Sequence, residues 1–133
     1  MNEARVHPHS ELTKAQAEEL RRALIERRTA LLDEHSEHLD IGRYADEPVA
    51  EPEEAAARDA TRSTMIKLAE SERALLTQIE RALEKLANGT YGVSEDSGEP
   101  IGFDRLRAIP WAALSTPDQE ALERAARDRG RRW

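Results

Sequence analysis

Two long segments of the chain carry apolar side chains every three or four residues, and a short acidic stretch with two prolines separates them. Such spacing places the apolar side chains on one face of an α-helix. The stripe is narrow, so each helix needs a partner to cover it while most of its circumference stays in water. A short connection makes the two helices antiparallel neighbours. We therefore predict a mainly α fold built on a long antiparallel coiled-coil hairpin over residues 11–89.

The boundaries of both helices are marked in the sequence. The first helix is predicted over residues 11–45, with Ser10 as its cap, although Thr13–Gln16 resembles a capping box for a slightly later start. The second helix is predicted to begin after Pro52 and to end at Asn88–Gly89, a pair that suits a left-handed C-cap. The predicted seam consists of Ala17, Leu20, Leu24 and Leu31, facing Met65, Leu68, Glu72, Leu75, Ile79, Ala82 and Leu86.

Negative charge is concentrated between the two helices. From Glu34 to Asp59 there are nine acidic and two basic residues, so this window alone sums to −7, the net charge of the whole chain. Such a run forms either a solvated loop or an acidic tip, near residues 46–56, that enters a basic or metal-containing site on a partner. Charge alone leaves both interpretations open.

The chain after the second helix differs from the two helices in its residue composition. Residues 90–114 hold three of the five aromatic residues and most of the turn-forming glycines and prolines, which predicts a compact knob. Residues 116–120 then open a C-terminal helix, with Ser115 or Thr116 as its cap. We thus expect three parts: a flexible N-terminus over residues 1–10, the hairpin over 11–89, and the knob with its C-terminal helix over 90–133.

Composition excludes several classes of function. The chain has no cysteine, which rules out disulfides and thiolate metal sites and favours the reducing cytoplasm. Lys and Arg total 20 against 27 for Asp and Glu, which argues against general nucleic-acid binding and against direct sequence-specific DNA contact. No segment is apolar enough to span a membrane. No catalytic triad, phosphate loop or thiol nucleophile is recognisable, so we expect no enzyme, no catalytic residue and no cofactor. A hairpin that covers its own seam favours a monomer.

The segment after the second helix is similar to a known zinc finger. Residues 91–102 read YGVSEDSGEPIG, residues 105–110 read RLRAIP, and Leu114 follows. This order resembles the DksA/TraR family, whose pattern is Y-G-x-C-x-x-C-G-x-x-I, then R-L-x-A-x-P, then L-C-x-x-C. Members of the family bind bacterial RNA polymerase. The resemblance extends over residues 40–122 and implies a regulator of transcription.

The four cysteine positions of the family pattern hold other residues here, namely Ser94, Ser97, Ser115 and Asp118. Structural zinc needs nitrogen or sulfur donors, and a neutral hydroxyl is a poor zinc ligand. We therefore predict a degenerate, metal-free finger. Apolar side chains around Phe103 and Trp111, together with hydroxyl hydrogen bonds, would then hold the knob. We expect such a protein to work under zinc limitation or oxidation.

Family members carry a D-x-x-D-x-A motif at the coiled-coil tip, which enters the secondary channel of the polymerase. Counting back from the finger puts Glu51 and Glu54 at the aspartate positions and Ala56 at the alanine position. These residues fall inside the acidic stretch identified from charge. The resemblance implies that they bind the polymerase and modulate initiation complexes. Glutamate keeps the charge of aspartate but adds a methylene and a rotamer, so binding is better supported than the family's regulatory effect.

The resemblance also bears on the binding of a nucleotide, ppGpp. Family members hold ppGpp, the signal of the stringent response, with basic residues, whereas the same register puts Gln78, Ile109 and Gln119 at those positions. Action through ppGpp is therefore doubtful, unless nearby arginines substitute, and these are Arg81, Arg105 and Arg107.

Histidines are the remaining candidates for metal binding. His35 and His38 lie three residues apart beside Glu34 and Glu37, which suits either weak divalent binding or a polar coiled-coil face. His7 and His9 have no evident partner and are expected on a disordered surface.

Two alternatives to the regulator hypothesis follow from the same residues. Carboxylates at the tip could hold a second magnesium ion in the polymerase and stimulate transcript cleavage, which would resemble the action of Gre factors. The chain could also be a diverged adaptor that keeps the fold but binds another partner. The arginine-rich end from Arg124 to Arg132 indicates either a solvated helix end or a contact with polymerase or nucleotide.

Overall fold

The computed structural model describes residues 3–131 and contains four helices. Helix α1 spans Lys14–Ala45, α2 spans Pro52–Asn88, α3 spans Phe103–Ala108 and α4 spans Thr116–Arg131. Within the described residues, β structure is limited to two isolated bridges, Val6 with Tyr91 and Val93 with Pro100. The predicted mainly α fold, a helical hairpin followed by a small knob and a C-terminal helix, is confirmed. Arg132, the last residue of the predicted arginine-rich end, lies outside the described residues.

The chain divides into two compact units. The first unit, here called the finger unit, comprises the chain up to Ile25 and from Gln78 onward. The second, called the turn unit, is Glu26–Thr77. Each unit contains part of α1 and part of α2. No helix among residues 3–131 has an apolar stretch long enough to cross a membrane.

In the finger unit, the seam between α1 and α2 is fully apolar. The predicted seam residues are buried there, each at most 4% exposed: Ala17, Leu20 and Leu24 on α1, and Ile79, Ala82 and Leu86 on α2. Burying one large apolar side chain contributes about 1.5–3 kcal/mol, so this short stretch supplies much of the unit's stability. The periodicity of the sequence located this seam correctly.

In the turn unit, contacts between the helices establish their antiparallel direction. His35 on α1 contacts Glu72 on α2, whereas Tyr44, later on α1, contacts Arg58, earlier on α2. The apolar seam is thinner here, because Leu68 is 37% exposed and Met65 is only half-buried. Leu31 remains buried at 2% exposure while its neighbour Leu32 is 46% exposed.

Local capping chemistry sets where the long helices begin and end. Helix α1 begins at Lys14 rather than at residue 11, because Glu11 has a φ of 62° and cannot be helical. The capping box forms instead: Thr13 Oγ1 accepts from Gln16 N at 3.1 Å, and Gln16 Oε1 accepts from Thr13 N at 3.0 Å. Helix α2 ends before Gly89, whose φ of 81° and bond to Lys85 O at 2.9 Å form the predicted left-handed cap.

The N-terminal segment, expected to be flexible over residues 1–10, is ordered from Arg5 to Ser10. Arg5 N donates to Leu86 O and His7 N donates to Tyr91 O, each at 2.8 Å. Ser10 is 1% exposed and lies against Gly92, where an added Cβ would stand 2.5 Å from the Ser10 Cβ. Main-chain hydrogen bonds hold this segment, and they leave no apolar pattern in the sequence.

The knob is built around different apolar residues from those expected. Tyr91, Ile101 and Leu106 are buried, whereas Phe103 and Trp111 are only half-buried. The Tyr91 hydroxyl donates to Pro110 O at 2.7 Å, and burial raises the pKa of this phenol far above its usual value. Tyr91 therefore ties the start of the knob to the loop after α3.

Truncating Leu31 should cost far more stability than truncating its neighbour Leu32. Leu31→Ala removes a buried seam side chain and should lower the free energy of unfolding by about 2–4 kcal/mol. Leu32→Ala removes a half-exposed side chain and should change it by less than about 1 kcal/mol. Urea unfolding followed by circular dichroism measures both. Equal losses would contradict the seam described here.

Candidate functional site

The acidic turn between α1 and α2 presents the sequence-predicted partner-binding residues on one short stretch. Glu51 precedes the helix, and its carbonyl oxygen accepts from Ala55 N at 2.9 Å, which starts the hydrogen-bond pattern of α2. Pro52 follows at the first helical position, where its missing N–H has no cost. Glu51, Glu54 and Ala56 are all exposed. The three residues thus lie exposed on the stretch that leads into the first turns of α2.

The carboxylates at this turn differ in their partners. Glu54 Oε1 lies 3.5 Å from Arg58 Nη2, one helical turn further along α2. Glu51 and Glu53, in contrast, make no side-chain hydrogen bond or ion pair within residues 3–131. Acidic side chains in a first helical turn are favoured by the helix dipole, which has its positive end there. Two unpaired carboxylates therefore face solvent at the beginning of α2.

Arg58 is a residue of this site that the sequence analysis counted only as a charge. Its side chain is 17% exposed, and its guanidinium contacts Tyr44, Glu47 and Glu54. The pairing with Glu54 could have been found from the sequence, because residues four apart share a helix face. The contacts with Tyr44 and Glu47 depend on the turn and leave no such signal.

The four former cysteine positions also come together, in the finger unit. The Asp118 carboxylate accepts from Ser94 Oγ at 2.5 Å, from Ser97 Oγ at 2.6 Å and from Ser97 N at 3.2 Å. Ser115 closes the set, because its N donates to Ser94 Oγ at 3.1 Å and its Oγ accepts from Asp118 N at 3.3 Å. Side chains that would ligate zinc in a finger are here hydrogen-bonded to one another.

The chemistry of these donors does not fit a zinc ion. Three hydroxyls and one carboxylate replace four thiolates, and the hydroxyl protons of Ser94 and Ser97 are directed to the carboxylate of Asp118. Hydrogen bonds from Ser94 and then from Ser97 hold the pKa of Asp118 below its ordinary value of 3.8. The anionic carboxylate is therefore the centre of this cluster, and hydrogen bonds connect the chain segments that a metal would otherwise connect.

Helix α4 starts at this cluster. Gln119 N donates to Ser115 O at 2.9 Å, and Ser115 Oγ accepts from Asp118 N, so Ser115 caps the helix. No residue of α4 is buried, and Leu122 is 52% exposed. The Asp118 cluster therefore fixes the origin of a helix whose surface is open to solvent.

The predicted histidine pair finds its partner on the opposite helix. His35 Nδ1 lies 3.2 Å from Glu72 Oε1, and His38 Nδ1 lies 2.8 Å from Glu72 Oε2. Glu34 instead pairs with Arg27 at 3.7 Å. No group of three or more metal-ligating side chains within residues 3–131 is placed to hold an ion. The two histidines therefore contact Glu72, the one charged residue of the predicted seam.

The positions expected to hold ppGpp line a cleft in the finger unit. Gln78, Ile109 and Gln119 lie on its walls, and the cleft encloses about 580 Å³. Arg81 and Lys85 also line it, but both pair with Glu95, at 2.9 and 2.7 Å. Arg105, another wall residue, donates from Nε to Leu114 O at 2.9 Å. The basic groups of this cleft thus already have partners within the chain.

Comparison with known proteins finds one relative that matches almost the whole chain and another that matches part of it. No family model matches the chain. The chain is 30% identical to the RNA polymerase-binding transcription factor DksA of Caulobacter vibrioides over 127 residues, which covers 96% of this chain and 82% of that protein. It is 43% identical to general stress protein 16O of Bacillus subtilis over 54 residues, 41% of this chain and 33% of that protein.

A solved structure agrees with these sequence matches. The transcription factor DksA2 of Pseudomonas aeruginosa superimposes with a TM-score of 0.80 at 33% sequence identity, covering 89% of this chain and 91% of that one. The similarity therefore includes the helical hairpin and the knob, and not the knob alone. The chain belongs to the DksA family.

Proposed function

We propose that this chain is a bacterial transcription regulator that binds RNA polymerase, with the turn between α1 and α2 entering the secondary channel. The observation that carries the proposal is the exposed acidic stretch at the start of α2, which includes Glu51, Glu54 and Ala56, the residues predicted to match the family's tip motif. A relative named as an RNA polymerase-binding transcription factor, 30% identical over 127 residues, supports the choice of partner.

The chemistry of the turn suits such a role without catalysis. Glu53 places unpaired negative charge at the positive end of the α2 dipole, and Glu51 adds an exposed, unpaired carboxylate just before the helix. Ionised carboxylates entering a channel that holds a metal ion and basic side chains act through electrostatic attraction. The protein then changes the stability of initiation complexes by its presence, and it is a regulator and not an enzyme.

The finger unit would provide the second attachment. Helix α4 exposes Leu122 and ends in a basic turn at Arg129 and Arg131, so it offers both apolar and charged contacts to the channel rim. Because hydrogen bonds around Asp118 fix the start of α4, this attachment would not require zinc. Regulation would therefore persist where zinc is scarce or thiols are oxidised.

We expect ppGpp to contribute little through this chain. The family positions for it hold Gln78, Ile109 and Gln119, and the arginines of the same cleft are engaged within the chain. Arg81 and Lys85 both pair with the carboxylate of Glu95, so an anionic ligand would compete with that carboxylate for their charge. Family resemblance alone therefore does not support a ppGpp-dependent mechanism here.

Removing the tip charges should separate binding from regulation. In the double variant Glu51→Ala/Glu54→Ala, the effect on open-complex lifetime at a responsive promoter should fall about tenfold or more, because charge-assisted contacts in the channel are lost. Polymerase binding through the finger unit should remain. Promoter-complex decay and co-purification with purified polymerase measure the two properties.

A matched control keeps the same helix and the same change of charge. Glu80→Ala/Glu84→Ala removes two exposed carboxylates of α2 outside the turn and should behave as wild type. Normal regulation by the Glu51→Ala/Glu54→Ala protein would refute the proposal. Release of short RNA from stalled complexes by the wild-type protein would favour transcript cleavage instead.

Chelation should leave the protein intact. Thermal unfolding in excess EDTA should match unfolding with added zinc to within about 1 °C, because no tightly bound metal would be withdrawn. A variant that restores cysteine at all four positions, Ser94→Cys/Ser97→Cys/Ser115→Cys/Asp118→Cys, should bind zinc and become sensitive to EDTA. Elemental analysis that found one tightly held zinc per wild-type chain would contradict the account.

Acid should weaken the finger unit through Asp118. Since its folded-state pKa is lowered, the ionised carboxylate stabilises the fold above the unfolded-state pKa of about 3.9, and this contribution is lost as the pH falls through the folded-state value. Asp118→Asn should therefore be less stable than wild type at pH 7, and the difference should shrink on acidification below about pH 4. Denaturant unfolding across this range measures it, and a difference independent of pH would be inconsistent with the cluster.

A further inference from the structure

Arg58 contacts every segment that forms the acidic turn. Its Nη1 donates to Glu47 O at 3.0 Å, and its Nη2 donates to the Tyr44 hydroxyl at 3.3 Å and to Glu54 Oε1 at 3.5 Å. The guanidinium carbon also lies 4.7 Å from the centre of the Tyr44 ring. One side chain thus joins the last turn of α1, the connecting segment and the first turn of α2.

The burial of Arg58 distinguishes it from the other arginines that form ion pairs in the turn unit, Arg27, Arg43 and Arg62, whose side chains are more exposed. Its side chain is 17% exposed, while the carboxylates it meets on Glu47 and Glu54 are 65% and 55% exposed. An exposed ion pair alone contributes little to structure. A planar guanidinium that simultaneously binds a main-chain oxygen, a hydroxyl and an aromatic face is a defined geometric restraint, and a lysine ammonium cannot reproduce that set of contacts.

These contacts make the two predicted tip carboxylates unequal. Glu54 is held by Arg58, so its charge is partly compensated and its side chain has a fixed partner. Glu51 has no side-chain partner within residues 3–131, and it lies between Glu47 and Glu54, both of which Arg58 contacts. The orientation of Glu51 therefore depends on a turn whose two ends are bound to one arginine.

We propose that Arg58 is a positioning residue of the regulatory tip, fixing the turn so that Glu51 is presented as the free carboxylate while Glu54 is held in place. The functional half of this inference rests on the proposed entry of the turn into the polymerase channel. The structural half, that Arg58 orders residues 46–52, does not depend on any partner.

The test compares Arg58→Ala and Arg58→Lys with wild type in two measurements. Amide hydrogen exchange of Asp46 and Glu47, whose main-chain N–H groups donate to Arg43 O and Tyr44 O, should speed up about tenfold or more in both variants, because lysine keeps the charge but loses the fork geometry. Regulation of promoter-complex lifetime should fall in both by a similar factor, with polymerase affinity changed less than about threefold. Retained affinity with lost regulation is a split that general destabilisation would not produce.

Arg43→Ala is the matched control, since it removes one arginine of the turn unit whose ion pair with Asp40 is 77% exposed on the arginine side. It should leave both measurements unchanged. If Arg58→Ala loses helicity, Arg58→Lys and Tyr44→Phe are compared with wild type in its place. Wild-type behaviour of Arg58→Lys in both measurements would overturn the proposal, because charge alone would then suffice. Unchanged exchange in Arg58→Ala would overturn it as well.

The proposed function and the positioning role of Arg58 can be refuted separately. If the wild-type protein does not alter initiation complexes, the proposed function fails, while the amide exchange of Asp46 and Glu47 still decides whether Arg58 orders the turn. If wild type regulates, and Arg58→Lys regulates equally well, the proposed function stands and the positioning role is wrong.

Discussion

The fold depends on a narrow apolar stripe that neither long helix can cover alone. Where the stripe is continuous, as between Leu20 or Leu24 and the buried residues of α2, hydrophobic burial alone is enough to pair the helices. In the turn unit the stripe thins, and a buried carboxylate at Glu72 must be paired to be tolerated. His35 and His38 supply that pairing from α1. Most other side chains of the two helices are left in solvent, which frees the turn for binding.

In the finger unit, hydrogen bonds connect the two chain segments that carry the four predicted zinc-ligand positions. In a zinc finger, four thiolates around one cation hold two short loops together. Here the central group is an anion instead of a cation: the carboxylate of Asp118 accepts hydrogen bonds from the hydroxyls of Ser94 and Ser97. Ser115 connects the two loops through its main-chain N–H and its hydroxyl. The result is a hydrogen-bonded cluster that also caps α4. The cluster thus connects the start of α4 to the loop that carries Ser94 and Ser97.

Features with local chemical rules could be predicted from the sequence. The seam of the finger unit, the capping box at Thr13 and the left-handed cap at Gly89 each depend on residue types at fixed spacing, and the sequence indicated each of them. The same periodicity was wrong for Leu68 of the turn unit, which is exposed. The acidic turn was indicated by the concentration of negative charge between the two helices. Counting back from the finger motif predicted which of its residues match the family's tip motif. Periodicity also marked Glu72 as polar, although it could not show that two histidines would face it.

Features that depend on main-chain contacts or on residues distant in sequence could not be predicted. The binding of Arg5 and His7 to Leu86 and Tyr91 uses peptide groups, which every residue carries. Arg58 chooses a carbonyl oxygen and a tyrosine that only the folded turn brings within reach. Phe103 and Trp111 were expected at the centre of the knob, but Tyr91 is buried there instead, and Trp111 lies at the wall of a cleft.

The central claim is that the turn enters the polymerase secondary channel without zinc, and site-specific crosslinking tests it most directly. A photo-reactive side chain at the exposed Ala57, next to the tip residues, would be activated in complexes with bacterial RNA polymerase in chelator-treated buffer. The account predicts crosslinks to the walls of the secondary channel, and none there from the same group at the exposed Glu80. Crosslinks from position 57 confined to the outer surface of the polymerase, or no complex from a folded protein, would contradict it.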